Sequence, residues 1–344
     1  MSDENIIENL GSASTHSANL QEKLPRASLG CFSPIRYTSK EIAGKPMKKG
    51  LKFIIVVVTG IIVAGVVGTM SYWGYLVYKY GQHLPTVEIM VNGGKREYNR
   101  FIPENPPEGP LSLVVLLNGG GVEAWPFPQQ RQWEALGEEF GIALAVPVGK
   151  RLPENESAWQ LNTDADSYQD IDFINAIISD IEESHPLDDK KIYAVGYSLG
   201  SMFSYELACQ MSDQFAAIAS FAGTMPVIKK SCNPQINVPI MHIHGLKDPI
   251  IAYGNTWEWK EWDSVGEMHD VPGLLQFWRD RYQCQTKTVN ENMDEVHFVY
   301  EHCDQGARVE HYRLVDGGHE WPQNLGEVST HRVIWSFFDN ITTP

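Results

Sequence analysis

A serine, an aspartate and a histidine stand in this sequence where acyl-transfer chemistry needs them. Ser198 sits in Gly196-Tyr197-Ser198-Leu199-Gly200, after the strand-like run Lys191-Ile192-Tyr193-Ala194-Val195 and before a helix-like run from Met202 to Met211. Strand, sharp turn and helix make an elbow that exposes a nucleophilic hydroxyl. The two glycines have a steric purpose, since side chains there would meet the neighbouring strand and helix. The helix that follows turns its N-terminal N–H groups towards a developing oxyanion. A small-residue turn that only packs a helix onto a sheet is the alternative reading.

A serine nucleophile needs a base and an acid that orients it. Val238 to His244 reads as a buried strand and runs into Gly245-Leu246-Lys247-Asp248-Pro249. Further on, Gly317-Gly318-His319-Glu320-Trp321-Pro322 is a loop that carries a histidine. The order serine, acid, histidine suits an elbow nucleophile on an α/β sheet. Ser198 is then the nucleophile and His319 the general base. Asp248 holds the imidazole tautomer and stabilises its cation. Before Pro249, Asp248 could instead be a plain turn residue. His242 and His244 alternate on their strand and face one side. With no third ligand nearby they are expected as packed, satisfied histidines, so neither metal nor cofactor is expected.

The oxyanion needs two donors. One is the N–H of Leu199, which follows the nucleophile. The other is expected from Gly120, because the strand Leu113 to Leu117 runs straight into Asn118-Gly119-Gly120-Gly121. A phosphate-binding loop is disfavoured, since no Gly-Lys-Ser/Thr follows.

The elements that must hold these residues alternate. A hairpin is expected from Thr86 to Val91 and Arg96 to Phe101 about Asn92-Gly93-Gly94. The strand before Asn118 follows, then a helix near Gln129 to Phe140 and the strand Ile142 to Val148. A helix from about Asp166 to Ser184 leads to the elbow strand, and the strands Ala216 to Phe221 and Val238 to His244 complete the series. This alternation predicts an α/β fold, a mostly parallel sheet with helices on both faces. Catalytic groups then gather at the strands' C-terminal ends. Asp164, Asp166, Asp170 and Asp172 cluster at the start of the long helix, at spacings that match no calcium loop.

Taken together, these motifs resemble the polyhydroxybutyrate depolymerase and feruloyl esterase group of the α/β-hydrolases, from about Val87 to Phe338. The resemblance rests on Leu116-Leu117-Asn118-Gly119, Asp170 to Ile174, the elbow strand, Phe215 to Ala219, His244 to Asp248 and, most specifically, Gly318-His319-Glu320-Trp321-Pro322. Asn118 replaces a histidine usual in the group, and Gln323 a glycine. The resemblance implies an α/β-hydrolase that cleaves esters of hydroxyalkanoate, feruloyl or acetyl type, without choosing among them. Trp321 and Trp125 are expected as apolar walls for substrate, and a soluble oligomer or small ester is favoured over insoluble polymer. A peptidase or thioesterase of the same fold, or a silent receptor on this scaffold, is the alternative. Four cysteines, Cys209, Cys232, Cys284 and Cys303, permit three pairings. The resemblance favours Cys284 with Cys303 and Cys209 with Cys232.

The N-terminal part bears on location. Phe53 to Met70 is an uncharged apolar run of about 18 residues, long enough to span a bilayer as a helix. Lys40, Lys45, Lys48, Lys49 and Lys52 precede it and only Lys79 closely follows. This asymmetry predicts an inside N-terminus and an extracytoplasmic C-terminal domain. A cleaved signal peptide would have a shorter core nearer the start. Residues 1–49 are therefore expected as a disordered cytosolic tail, 50–80 as a transmembrane signal anchor and 84–344 as one catalytic domain. Gly60, Ala64 and Gly68 share a helix face, a weak hint of a homodimer. The net charge of −16 argues against a nucleic-acid partner.

Overall fold

Strands that are apolar throughout become the middle of a sheet. In the computed structural model, which describes residues 48–120, 126–150, 159–164, 169–230, 232, 234–258, 260–262 and 265–341, four strands are buried at every position. They are β3 (Leu111–Leu117), β4 (Ile142–Pro147), β6 (Ala217–Phe221) and β7 (Ile240–Gly245). Continuous burial is what a sheet covered on both faces requires. β5 (Leu187–Tyr197) joins them, exposed only around its lysines. Strands nearer the edges are β1 (Thr86–Val91), β2 (Gly94–Phe101), β10 (Thr286–Glu291), β11 (Glu295–Glu301) and β12 (Val309–Leu314).

The ten strands run in the order β1-β2-β4-β3-β5-β6-β7-β12-β11-β10. The stretch from β4 to β12 is parallel, and the flanking hairpins β1–β2 and β10–β11 pair antiparallel. Asn92 and Gly93 turn the first hairpin with φ of 50° and 77°, the left-handed pair that a tight two-residue turn demands. Two short ribbons lie apart from the sheet: β8 (Glu261–Trp262) with β9 (Gly266–Glu267), and β13 (Asn324–Leu325) with β14 (Val328–Ser329).

Strand periodicity divides the core in two. Leu113, Val115 and Leu117 of β3 pack into one cluster with α3 (Gln169–Ser184), α4 (Leu199–Gln210) and α5 (Val271–Arg281). Val114 and Leu116 point the other way, into a cluster with α2 (Gln130–Phe140) and α6 (Thr330–Asp339). Helix α3 buries Phe173, Ile174, Ile177, Ile178 and Ile181 on one stripe. Its first turn contains Asp170, which is buried and bound to Arg96 at 2.9 Å. That pairing accounts for Asp170, and Asp166 lies outside the described residues. Among the described residues no cluster of His, Cys, Asp and Glu could hold a metal ion.

Two disulfides close the cysteine pairs Cys209–Cys232 and Cys284–Cys303. The first ties the C-terminal end of α4 to the loop that precedes β7, and the second joins the segment after α5 to the end of β11.

The chain divides into two units, Met1–Gly68 and Thr69–Pro344. In the first the described residues from Lys49 onward belong to α1 (Lys49–Tyr80), which continues past Gly68. Its segment Lys49–Leu76 is long and apolar enough to cross a membrane.

Candidate active site

Ser198 is held at the junction of β5 and α4, with φ 54° and ψ −119°. This is strained backbone for a residue that bears a Cβ. The strain persists because the surroundings fix it. The Ser198 amide donates to the Phe221 carbonyl on β6 at 2.9 Å, and α4 is buried along nearly its whole length. The flanking glycines are sterically required: a Cβ on Gly196 would collide with the Gly200 carbonyl, and one on Gly200 with the carbonyls of Leu117 and Asn118.

Two loops bring the partners in. His319 Nε2 lies 2.9 Å from Ser198 Oγ, and His319 Nδ1 lies 2.8 Å from Asp248 Oδ2. An ionised carboxylate only accepts, so Nδ1 carries the proton and Nε2 is left free to accept from the hydroxyl. Asp248 follows β7 in a tight loop, where its Oδ1 accepts from the amides of Ile250 and Ile251 at 2.8 and 2.9 Å. His244 Nε2 stands 3.4 Å from Oδ2. Burial alone would raise the Asp248 pKa, but hydrogen bonds from His244, His319 and the Ile251 amide outweigh it. The carboxyl is held well below the usual carboxylate range. The histidine loop is fixed in turn, since the Lys247 amide donates to the Gly317 carbonyl at 2.9 Å. Tyr197 Oη donates to the His319 carbonyl at 3.1 Å.

The oxyanion candidates also meet here. Leu199 is the first residue of α4, so its N–H has no partner within the helix. A Cβ on Gly119 would stand 3.1 Å from Ser198 Cβ, and one on Gly120 3.3 Å from Leu199 Cδ1. The glycine loop therefore runs directly against Ser198. Trp159 Nε1 donates to the Asn118 carbonyl at 2.9 Å and braces the start of that loop. Asn118, Gly119, Gly120, Pro126, Pro128, Tyr197 and Ser198 line a cavity of about 310 Å³. A second cavity of about 460 Å³ shares Pro126 and Pro128 with it and is lined further by Phe127 and four glutamines, Gln129, Gln130, Gln132 and Gln323.

Trp321 is not among the residues lining the cavity above Ser198. Its ring packs edge-on against Phe127, Tyr197 and Phe221, and its Nε1 donates to Gln129 Oε1 at 3.2 Å. It supports the wall from behind. Trp125 lies outside the described residues. His242 and His244 are fully buried and hydrogen-bonded. Sequence reasoning gave no site role to Tyr197, Trp159 or His244. The position of Tyr197 inside the elbow, and that of His244 at the head of the motif that ends on Asp248, were the available signals.

A mostly parallel sheet, helices on both faces and a serine at a strand-to-helix elbow, with a histidine and an acid on later loops, define the α/β-hydrolase fold. Comparison with known proteins agrees. Residues 149–261 match the dienelactone hydrolase family. The chain is similar to the bifunctional acetylxylan esterase/xylanase XynS20E of Neocallimastix patriciarum, at 28% identity over 237 residues, or 66% of this chain and 31% of that protein. It is 29% identical over 255 residues to the putative esterase NocK of Nocardia uniformis subsp. tsuyamanensis, covering 68% of this chain and 73% of that one. A probable feruloyl esterase C of Aspergillus clavatus is 25% identical over 232 residues, covering 66% and 72%. The chain thus spans less than a third of the first relative's length and nearly three quarters of the other two. Among solved structures, the acetyl xylan esterase from Aspergillus awamori superposes with a TM-score of 0.52 at 12% identity, over 74% of this chain and 99% of that one. This last likeness is one of fold.

Proposed function

We propose that this protein is a serine esterase that hydrolyses carboxylic esters through an acyl-enzyme on Ser198. The reading is carried by one observation: a single imidazole, His319, lies 2.9 Å from the Ser198 hydroxyl and 2.8 Å from the Asp248 carboxylate. In the first half-reaction Ser198 Oγ attacks the ester carbonyl carbon while His319 Nε2 takes the hydroxyl proton. The amides of Leu199 and Gly120 receive the oxyanion. The tetrahedral adduct then expels the alcohol, which leaves with the proton from Nε2. In the second half a water attacks the acyl-enzyme and gives its proton to Nε2. Collapse returns that proton to Ser198 Oγ and releases the carboxylic acid. Asp248 keeps the proton on Nδ1 and stabilises the imidazolium in both halves.

Likeness to feruloyl and acetylxylan esterases supports feruloyl and acetyl esters as the first substrates to try, with hydroxyalkanoate oligomers beside them. The glutamine-lined cavity that adjoins the one above Ser198 favours an ester with a group that extends beyond the scissile bond. The apolar segment of α1 and the lysine asymmetry around it support a retained membrane anchor, with the hydrolase outside the cytoplasm.

Labelling with a fluorophosphonate tests the nucleophile: wild type should react and Ser198→Ala should not. Turnover of p-nitrophenyl acetate, methyl ferulate, acetylated xylan and hydroxybutyrate oligomers then sets the ester. Equal labelling of both proteins, or turnover of peptides but of no ester, would refute the proposal.

A further inference from the structure

A line of buried side chains runs beneath the acid loop, and its hydrogen bonds have one direction. His244 Nε2 faces two groups that can only accept: the Ile251 carbonyl at 2.8 Å and Asp248 Oδ2 at 3.4 Å. His244 therefore carries a proton on Nε2, and with one proton on the ring Nδ1 accepts. His242 Nε2, 3.2 Å from that Nδ1, must be the donor. His242 Nδ1 is then bare and accepts from the Tyr205 hydroxyl at 2.7 Å. On the adjacent strand, His311 Nδ1 lies 3.0 Å from the His242 carbonyl, so it donates, and its Nε2 accepts from Tyr253 Oη at 3.0 Å. Tyr205, His242, His244 and His311 are all fully buried.

The chain starts on α4, the helix that carries Ser198 at its N-terminal end. It runs along the face of the sheet that α4 covers, by way of His242 and His244 on β7, and ends on the acid. Asp248 Oδ1 is filled by two amides, and Oδ2 is shared between His319 and His244. His244 also pins the Ile251 carbonyl and so closes the loop 248–251 from its far side.

We propose that His244 is a positioning residue for the reaction, which the Tyr205–His242 donors hold in its Nε2–H tautomer so that it fixes the Asp248 carboxylate and its loop for His319. The inference rests on the esterase reading of Ser198. Among the described residues the His244 ring contacts His242, Asp248, Ile251 and Tyr253, none of which lines the cavity above Ser198, so it acts on turnover and not on substrate binding.

The test compares His244→Asn with His244→Gln in the full-length chain in detergent micelles, with p-nitrophenyl acetate as substrate. A glutamine amide reaches the place of Nε2 and can donate there, whereas an asparagine amide replaces only Nδ1. Asparagine should lower kcat by about 10- to 100-fold with KM unchanged, because a small misplacement of a catalytic group costs that much. Glutamine should restore most of the loss. In ¹⁵N-histidine spectra of the wild type, His242 and His244 should be Nε2–H tautomers and His311 an Nδ1–H tautomer. Equal kcat for the two variants, whether high or low, would overturn the positioning role, as would an Nδ1–H tautomer at His244. The spectra decide the matter even where a variant fails to fold. If the wild type does not react with a fluorophosphonate at Ser198, the esterase reading itself fails and this proposal with it.

Discussion

Ser198 combines a chemical demand with a conformational cost. Its φ of 54° is one that glycine adopts without penalty, and replacing it with glycine should reveal what the elbow costs. We expect Ser198→Gly to be more stable than wild type by about 1 kcal/mol and to lose fluorophosphonate labelling. Denaturant midpoints for the two proteins check this, and a less stable variant would contradict it. The buried histidines make a second prediction. Burial first, then neighbouring histidines, lowers the pKa of His242 well below 6.5. Burial lowers that of His311 to about 3. Below pH 6.5 the unfolded chain binds protons that the folded chain refuses, so stability is lost as pH falls. Each such histidine contributes a slope of about 1.4 kcal/mol per pH unit. Asp248 acts elsewhere. Its folded pKa is depressed, so its contribution is complete above the ordinary carboxylate value of about 4 and disappears only below it. Urea midpoints should therefore fall between pH 6.5 and 4.5, and His311→Gln should flatten the fall. Midpoints that do not change over that range would contradict the assignment.

At the level of elements, the sharpest expectation concerns the contact between the elbow and β3. Gly200 lies against the Leu117 and Asn118 carbonyls so closely that any Cβ must move backbone. Gly200→Ala should displace the glycine loop, lower kcat/KM by at least about 100-fold and cost several kcal/mol, of the order seen for overpacked cores. Turnover and thermal melting measure both, and near-native values in both would mean the loop is not anchored there. The elements that build this contact were legible in the sequence, because β3, β4, β6 and β7 are short, mostly apolar runs bearing no acidic or lysine/arginine side chain and α3 keeps a clean stripe. β10 was not. Its residues Thr286–Glu291 are exposed at every position, so neither alternation nor a run of apolar residues marks it. β12 mixes Glu310, His311 and Arg313 with Val309 and Leu314, and its place beside β7 is a tertiary fact. The link from Tyr205 through His242 to His244 was hidden for a related reason. It joins a helix to a strand more than thirty residues further on, and only the packing of α4 against the sheet sets them in line. The hydrogen-bonded line of Ser198, His319 and Asp248 could be anticipated because each member sits in a short motif of its own.

For the molecule as a whole, the apolar helix and the two disulfides bear on the same question. The segment Lys49–Leu76 could cross a bilayer, and the lysines before it favour an inside N-terminus. With that topology, protease added to intact cells or spheroplasts should degrade the domain from residue 84 onward and spare the N-terminal tail. Protection of that domain, with digestion after permeabilisation, would reverse the orientation. Buried charge matters on this scale as well. Lys229 pairs with Glu206 of α4 inside the domain, and the same carboxylate accepts from the Asn162 amide at 3.1 Å. The helix that follows Ser198 is thereby tied to two separate loops.

The bond between Cys209 and Cys232 has a practical consequence for anyone who makes this protein. It fastens the tail of the helix whose head presents Ser198, so material folded where thiols stay reduced lacks that fastening. Recombinant yield should then depend less on codon choice or temperature than on export to the periplasm or use of an oxidising host strain.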